Sequence, residues 1–223
     1  MKKILALLLA VLCIFSVVSC GKDKTDDNST GATAEQVAAI ANVINSSAPT
    51  TIVTVTEYAY GEDTYKGRFE TEIDKDLTKS IFTYSYARPA RVEDAAASSI
   101  VNVAGKVYYR DGQVSVNEGD AWNAAGSAYM ELNLNLEASM LKSYTVSEDG
   151  GTLTATATAE NAKRILGAEI SAEGDVTIVI TTNTVYLYNV RVTYTAEGTG
   201  ASVVVDTSYD YRVHTLVFPD EDK

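Results

Sequence analysis

The chain begins with one helical pattern and then changes period. Thr33-Ala-Glu-Gln36 has the spacing of a capping box, and Val37, Ile40, Ala41 and Ile44 follow at helical intervals. This predicts one amphipathic helix over about 34–45, ended by Asn45-Ser46-Ser47 ahead of Pro49. Beyond Pro49 the period falls to two. In Tyr65 to Ile73 the odd positions are apolar or small and the even ones are all charged. Phe82, Tyr84 and Tyr86 share a face within Ser80 to Tyr86, and Val176 to Ile180 alternates likewise. In Val185 to Tyr194 the expected inward set is Tyr186, Tyr188, Val190, Val192 and Tyr194. In Val203 to Val213 it is Val203, Val205, Tyr209, Tyr211 and Val213, set against Asp206, Ser208, Asp210 and Arg212. Such alternation is what an antiparallel strand with one wet face requires.

Turn chemistry separates these runs. Gly61-Glu-Asp63, Asp111-Gly112, Asp149-Gly-Gly151 and Glu197-Gly-Thr-Gly200 supply residues that tolerate positive φ. The prolines at 49, 89 and 219 fall outside the clearest strands, as a missing N–H demands. Glu160 to Leu166, followed by Gly167, predicts one short helix. Ala87 to Ser99 reads as a loop or a marginal helix, and Gly119 to Leu141 stays open, although Leu132, Leu134 and Leu136 alternate. The expected fold is mainly β (α+β): about ten strands in one strongly curved antiparallel sheet, a half-barrel, packed on the N-terminal helix.

The first twenty residues carry a different signal. Lys2 and Lys3 precede an apolar run from Ile4 to Val18, which is 15 residues long. A membrane span needs about 20, so the run fits the core of a signal peptide instead. It ends in Val17-Val18-Ser19-Cys20, which resembles the bacterial lipobox. The resemblance implies a lipoprotein signal over 1–19, lipidation of Cys20, and an extracytoplasmic protein anchored to the bacterial cell membrane. An ordinary secretory signal with a coincidental cysteine is the plainer alternative. Residues 20–32 have no large apolar side chain and read as a flexible tether to a domain over 33–223. Asp23, Asp26 and Asp27 lie in that tether without the spacing or closing Glu of an EF-hand, so a solvated linker is favoured over a calcium loop.

Cys13 would leave with the signal, so the mature chain would hold Cys20 alone, without a disulfide or a free catalytic thiol. Removing Lys2 and Lys3 leaves 16 basic against 30 acidic residues, a net charge of −14. Such a body gains nothing from nucleic acid or from an anionic lipid surface, so the acyl chains must hold it to the membrane. One histidine, His214, leaves little material for a triad or a metal, and no metal or cofactor is expected. The pairs Glu93-Asp94 and Glu148-Asp149 are adjacent rather than set across a cleft, unlike glycosidase carboxyls. No GxSxG, P-loop, HExxH or Rossmann glycine pattern occurs, and no enzyme is expected.

The order of lipobox, tether, helix and hairpins is similar to the LolA/LolB and LppX/LprG group of lipoprotein-carrier-like folds. Gly105-Lys-Val-Tyr-Tyr-Arg-Asp-Gly112 with Trp122 after it, the hairpin and helix over Tyr144 to Gly167, and the closing long strands carry the likeness over about 33–218. It implies a half-barrel around a helix, with an apolar cavity for acyl chains or a lipidated partner. Leu153-Thr-Ala-Thr-Ala-Thr-Ala159 departs from that pattern, since small inner side chains either widen a cavity or let a helix approach closely. The candidate lining is Tyr65, Phe69, Tyr84, Tyr86, Val107, Tyr109, Ile178, Ile180, Tyr186, Tyr188, Tyr209 and Tyr211. Fourteen tyrosines against four phenylalanines suit amphipathic cavity walls, and equally a filled core with hydroxyls at its rim. The expected function is lipid or apolar-ligand binding without catalysis. The alternative is a cell-surface structural or interaction lipoprotein with a filled core.

Overall fold

In a computed structural model, the described residues are 32–74, 78–90, 100–110, 113–116, 123–124, 134–213 and 215–218. Helix α1, Ala34–Ser46, starts where the capping box placed it: the Thr33 hydroxyl accepts from Gln36 N–H, and the Gln36 side chain accepts from Thr33 N–H at 2.9 Å. Val37, Ile40 and Ile44 are its buried stripe. Helix α2, Ala159–Leu166, is capped by Thr158 and stopped by Gly167, whose φ of 60° suits a residue without Cβ.

Among the described residues eleven strands form one open antiparallel sheet: β1 Thr51–Tyr60, β2 Asp63–Ile73, β3 Lys79–Pro89, β4 Ile100–Arg110, β5 Gln113–Val116, β6 Asn123–Ala124, β7 Ser143–Val146, β8 Thr152–Thr158, β9 Asp175–Thr182, β10 Leu187–Thr195 and β11 Ser202–Asp210. Their order is β6-β5-β4-β3-β2-β1-β11-β10-β9-β8-β7. The chain therefore starts in the middle, meanders out to β6, restarts at the far edge and meanders back. β1 and β11 close the seam, with Ile52 opposite Tyr209 and Thr56 opposite Val205. The single antiparallel sheet and its helix match the fold read from the pattern. The stretch from Ala87 settles as strand through Pro89, while Glu93, Asp94, Trp122, Leu132, His214 and Cys20 lie outside the described residues.

Cross-strand register puts both side chains of each opposed pair on the same face. Under the helices this face is closed. Leu153, Ala155 and Ala157 of β8, Val176, Ile178 and Ile180 of β9, and Val190 and Val192 of β10 are buried with Val37, Ile40, Ala162 and Ile165. The small β8 residues are fully enclosed in this core, so they serve close packing rather than a void. Across the seam the same face has no helix over it among the described residues. It carries instead a stripe of half-buried rings in which Phe69 stacks on Phe82 and Tyr86 at 6.4 and 6.2 Å. On the opposite face, Leu216 and Phe218 pack on Ile81 and Tyr108 as a second small core.

One expectation fails at the β9–β10 hairpin. A register shift lies between Leu187 and Asn189, and an extra residue in a strand inverts which side chains point inward. Leu187 is buried, while Tyr186 and Tyr188 are 41% and 46% exposed. The Asn183 carboxamide oxygen fixes the turn by accepting from the N–H groups of Val185 and Tyr186, both at 2.7 Å. Tyr211 and Val213 likewise lie beyond the end of β11, and Val213 is 74% exposed.

Candidate functional site

Between the filled half and the aromatic half lies a cleft of about 260 Å³. Its floor is the seam itself: Ile52 and Thr54 from β1, Val205, Thr207 and Tyr209 from β11, and Val190, Val192 and Tyr194 from β10. Its roof is Leu134 together with Leu166, the last residue of α2, and Ala168, Glu169 and Ile170 of the segment that follows it. The gap exists because α2 stops short: Gly167 turns the chain over the centre of the sheet instead of continuing the helical cover. Asn135 N–H donates to the Ile165 carbonyl at 2.8 Å, which ties Leu134's segment to that roof.

The site is apolar with a few hydroxyls. Thr54 Oγ1 and Thr207 Oγ1 are 3.0 Å apart across the seam. Burial pushes the Tyr209 hydroxyl well above the usual tyrosine range, and burial together with the neighbouring Tyr58 raises Tyr194. The one charged side chain in the lining, Glu169, is paired with Lys163 at the exposed rim. A second depression of about 290 Å³ continues on the same face across β1 to β3, between Tyr58, Tyr65, Phe69 and Tyr86. Thr54 borders the first depression and Thr56 the second, two residues further along β1.

The twelve candidate lining residues divide by place. Tyr209 is in the cleft, and Tyr65, Phe69 and Tyr86 are in the neighbouring depression. Tyr84 belongs to the ring stripe, 5.8 Å from Phe82 and 6.2 Å from Tyr86. Val107 and Tyr109 sit on the same face of β4, half-buried. Ile178 and Ile180 are buried beneath the helices, in the filled part of the core. Tyr186, Tyr188 and Tyr211 gather instead at the hairpin: Tyr186 and Tyr211 rings are 4.4 Å apart, Tyr211 donates to the Leu187 carbonyl at 2.7 Å, and the Asn183 amide donates to the Tyr188 hydroxyl at 2.8 Å. The twelve candidates leave out most of the cleft's aliphatic and threonine floor, although the strand pattern already turns several of its residues inward. The signal was nonetheless there in Val190, Val192, Tyr194 and Val205, which alternate in phase.

Elsewhere the carboxylate pair at Glu148-Asp149 forms part of the β7–β8 turn. Asp149 accepts from the Ser147 hydroxyl at 2.5 Å and from Gly151 N–H at 3.0 Å, and these bonds hold its carboxyl below the ordinary range. A general acid of a glycosidase needs a shift in the other direction. No group of three or more His, Cys, Asp or Glu is placed to hold a metal among the described residues, and no helix among them is long and apolar enough to cross a membrane.

In class, this is an open antiparallel sheet with helices over one half and an apolar cleft at its central seam. No protein family and no curated protein matches the chain. Among solved structures, a DUF1329 family protein from Desulfovibrio piger is similar at 12% identity and a TM-score of 0.29, over 82% of this chain and 94% of that one.

Proposed function

We propose that this chain is a bacterial lipoprotein, held outside the cytoplasm by acylated Cys20, whose sheet binds a lipid or other apolar ligand without catalysis. The observation that carries the binding role is the cleft at the β1–β11 seam. It is concave and mostly aliphatic, with a small number of polar groups, as small-molecule sites are. A sheet with a wholly filled core would have no such gap beside Val190 and Val192. The anchor rests on Val17-Val18-Ser19-Cys20 and the apolar run before it.

The test uses the whole mature chain with Cys20→Ser, exported behind a non-lipidated signal. It should enhance the fluorescence of the neutral dye N-phenyl-1-naphthylamine. Ala168→Trp puts a large ring at the exposed roof, and it should weaken dye binding about tenfold without changing the unfolding temperature. Dye binding that ignores this substitution would sink the cleft as the site and favour the filled-core interaction lipoprotein. For the anchor, intact-mass analysis of the native membrane fraction should find a chain beginning at Cys20 with added diacylglycerol and acyl mass, absent in Cys20→Ala.

A further inference from the structure

The cleft's polar groups define the head of its occupant. Four hydroxyl-bearing residues line it: Thr54, Thr207, Tyr194 and Tyr209. Neither tyrosine hydroxyl has a hydrogen-bond partner among the described residues. Within the threonine pair one hydroxyl donates to the other, so the accepting one keeps its own proton for a third group. The cleft thus offers up to three O–H donors set in aliphatic walls.

Charge is the counterpart. No lysine or arginine is in the lining among the described residues, and Glu169 is already paired with Lys163. The volume, about 260 Å³, lies below the ~300 Å³ at which drug-sized sites begin, which suits one hydrocarbon chain rather than several.

Building on the binding role above, we propose that the occupant is an uncharged single-chain amphipath. Its ester or amide oxygen accepts from Tyr209 and from the threonine pair beside it on the seam, Thr54 and Thr207, and the cleft rejects the corresponding carboxylate. The same burial that disfavours a tyrosinate at position 209 penalises any anion brought beside it, and among the described lining residues no lysine or arginine offsets that cost. A neutral carbonyl instead meets O–H donors in a largely apolar space without the cost of burying a charge.

Displacement of N-phenyl-1-naphthylamine from the mature Cys20→Ser chain separates the cases. Monodecanoylglycerol, decanoate and the matching plain hydrocarbon are compared at alkaline pH, where the acid is ionised. Monodecanoylglycerol should displace the dye at a concentration about tenfold lower than decanoate. Tyr209→Phe should weaken monodecanoylglycerol about fivefold and leave the hydrocarbon unchanged, and Thr207→Val should act in the same direction. If decanoate binds as well as or better than the ester, or if both hydroxyl variants leave the ester unaffected, the neutral-head assignment is wrong while the binding role stands. If neither the dye nor any of the three compounds binds, the binding role itself is lost, and this assignment with it.

Discussion

At the end of β11 a single carboxylate shows how local bonding sets an acid response. Asp210 accepts from Arg212 N–H at 2.9 Å and from its Nε at 2.7 Å, and the guanidinium pairs with it a second time. These bonds, led by the Arg212 side chain, hold its carboxyl at about 2. The folded value is thus below the unfolded one, so this pair supports the fold above the ordinary Asp range and loses that support as pH falls toward 2. Asp210→Asn should therefore lower stability slightly at neutral pH, flatten the acid limb of the unfolding curve in that window, and converge with the parent protein as pH approaches 2. Acid titration followed by circular dichroism checks this; an unchanged acid limb would show that the pair contributes nothing. The neighbouring positions explain what sequence could reveal at this scale. Tyr209 was legible as an inward residue from alternation alone. The Asp210–Arg212 pairing was not, because alternation places both residues on the wet face and says nothing about which side chain folds back on the backbone.

Among elements, the two helices were the most legible parts of the chain. Thr33 and Gln36 fixed the start of α1, and Gly167 marked the stop of α2. That glycine also shapes the site, because the turn it permits carries Ala168, Glu169 and Ile170 over the cleft. Gly167→Ala forces a side chain into a left-handed backbone and should cost about 1 kcal/mol or more of stability. It should also weaken dye binding by shifting the roof. Thermal unfolding and dye titration measured together check both effects; a stable variant with unaltered binding would mean the turn does not set the roof. The β9–β10 hairpin was misread for a definite reason. A strand's period carries no mark of an inserted residue, and the side chain that bends this turn, Asn183, sits outside the alternating run. The cleft's roof is illegible for a related reason: 166–170 has no period of two, and the alternation of Leu132, Leu134 and Leu136 does not say what Leu134 covers.

For the molecule as a whole, stability is unevenly spread. The helices bury β8, β9 and part of β10, whereas β2 and β3 rely on a stripe of half-buried rings, on the small Leu216–Phe218 cluster over Ile81, and on pairing with their neighbours. Hydrogen exchange should therefore be slowest in β8 and β9, where opening requires global unfolding, and clearly faster in β2 and β3. Equal protection in both halves would contradict this division. The cleft sits at the border between them, where a ligand touching β1, β10 and β11 would bridge the firm half to the looser one. The sheet order adds one more consequence. Thr51 at the start of the first strand lies against Asp210 at the end of the last, so the midline of the sheet joins the two strands that are synthesised furthest apart in time. A chain leaving a narrow channel would carry a half-finished surface with a raw inner border until its final long strand emerged. It would stay threadable over most of its length and then zip shut late, sealing its hollow only once everything needed to line it had come through.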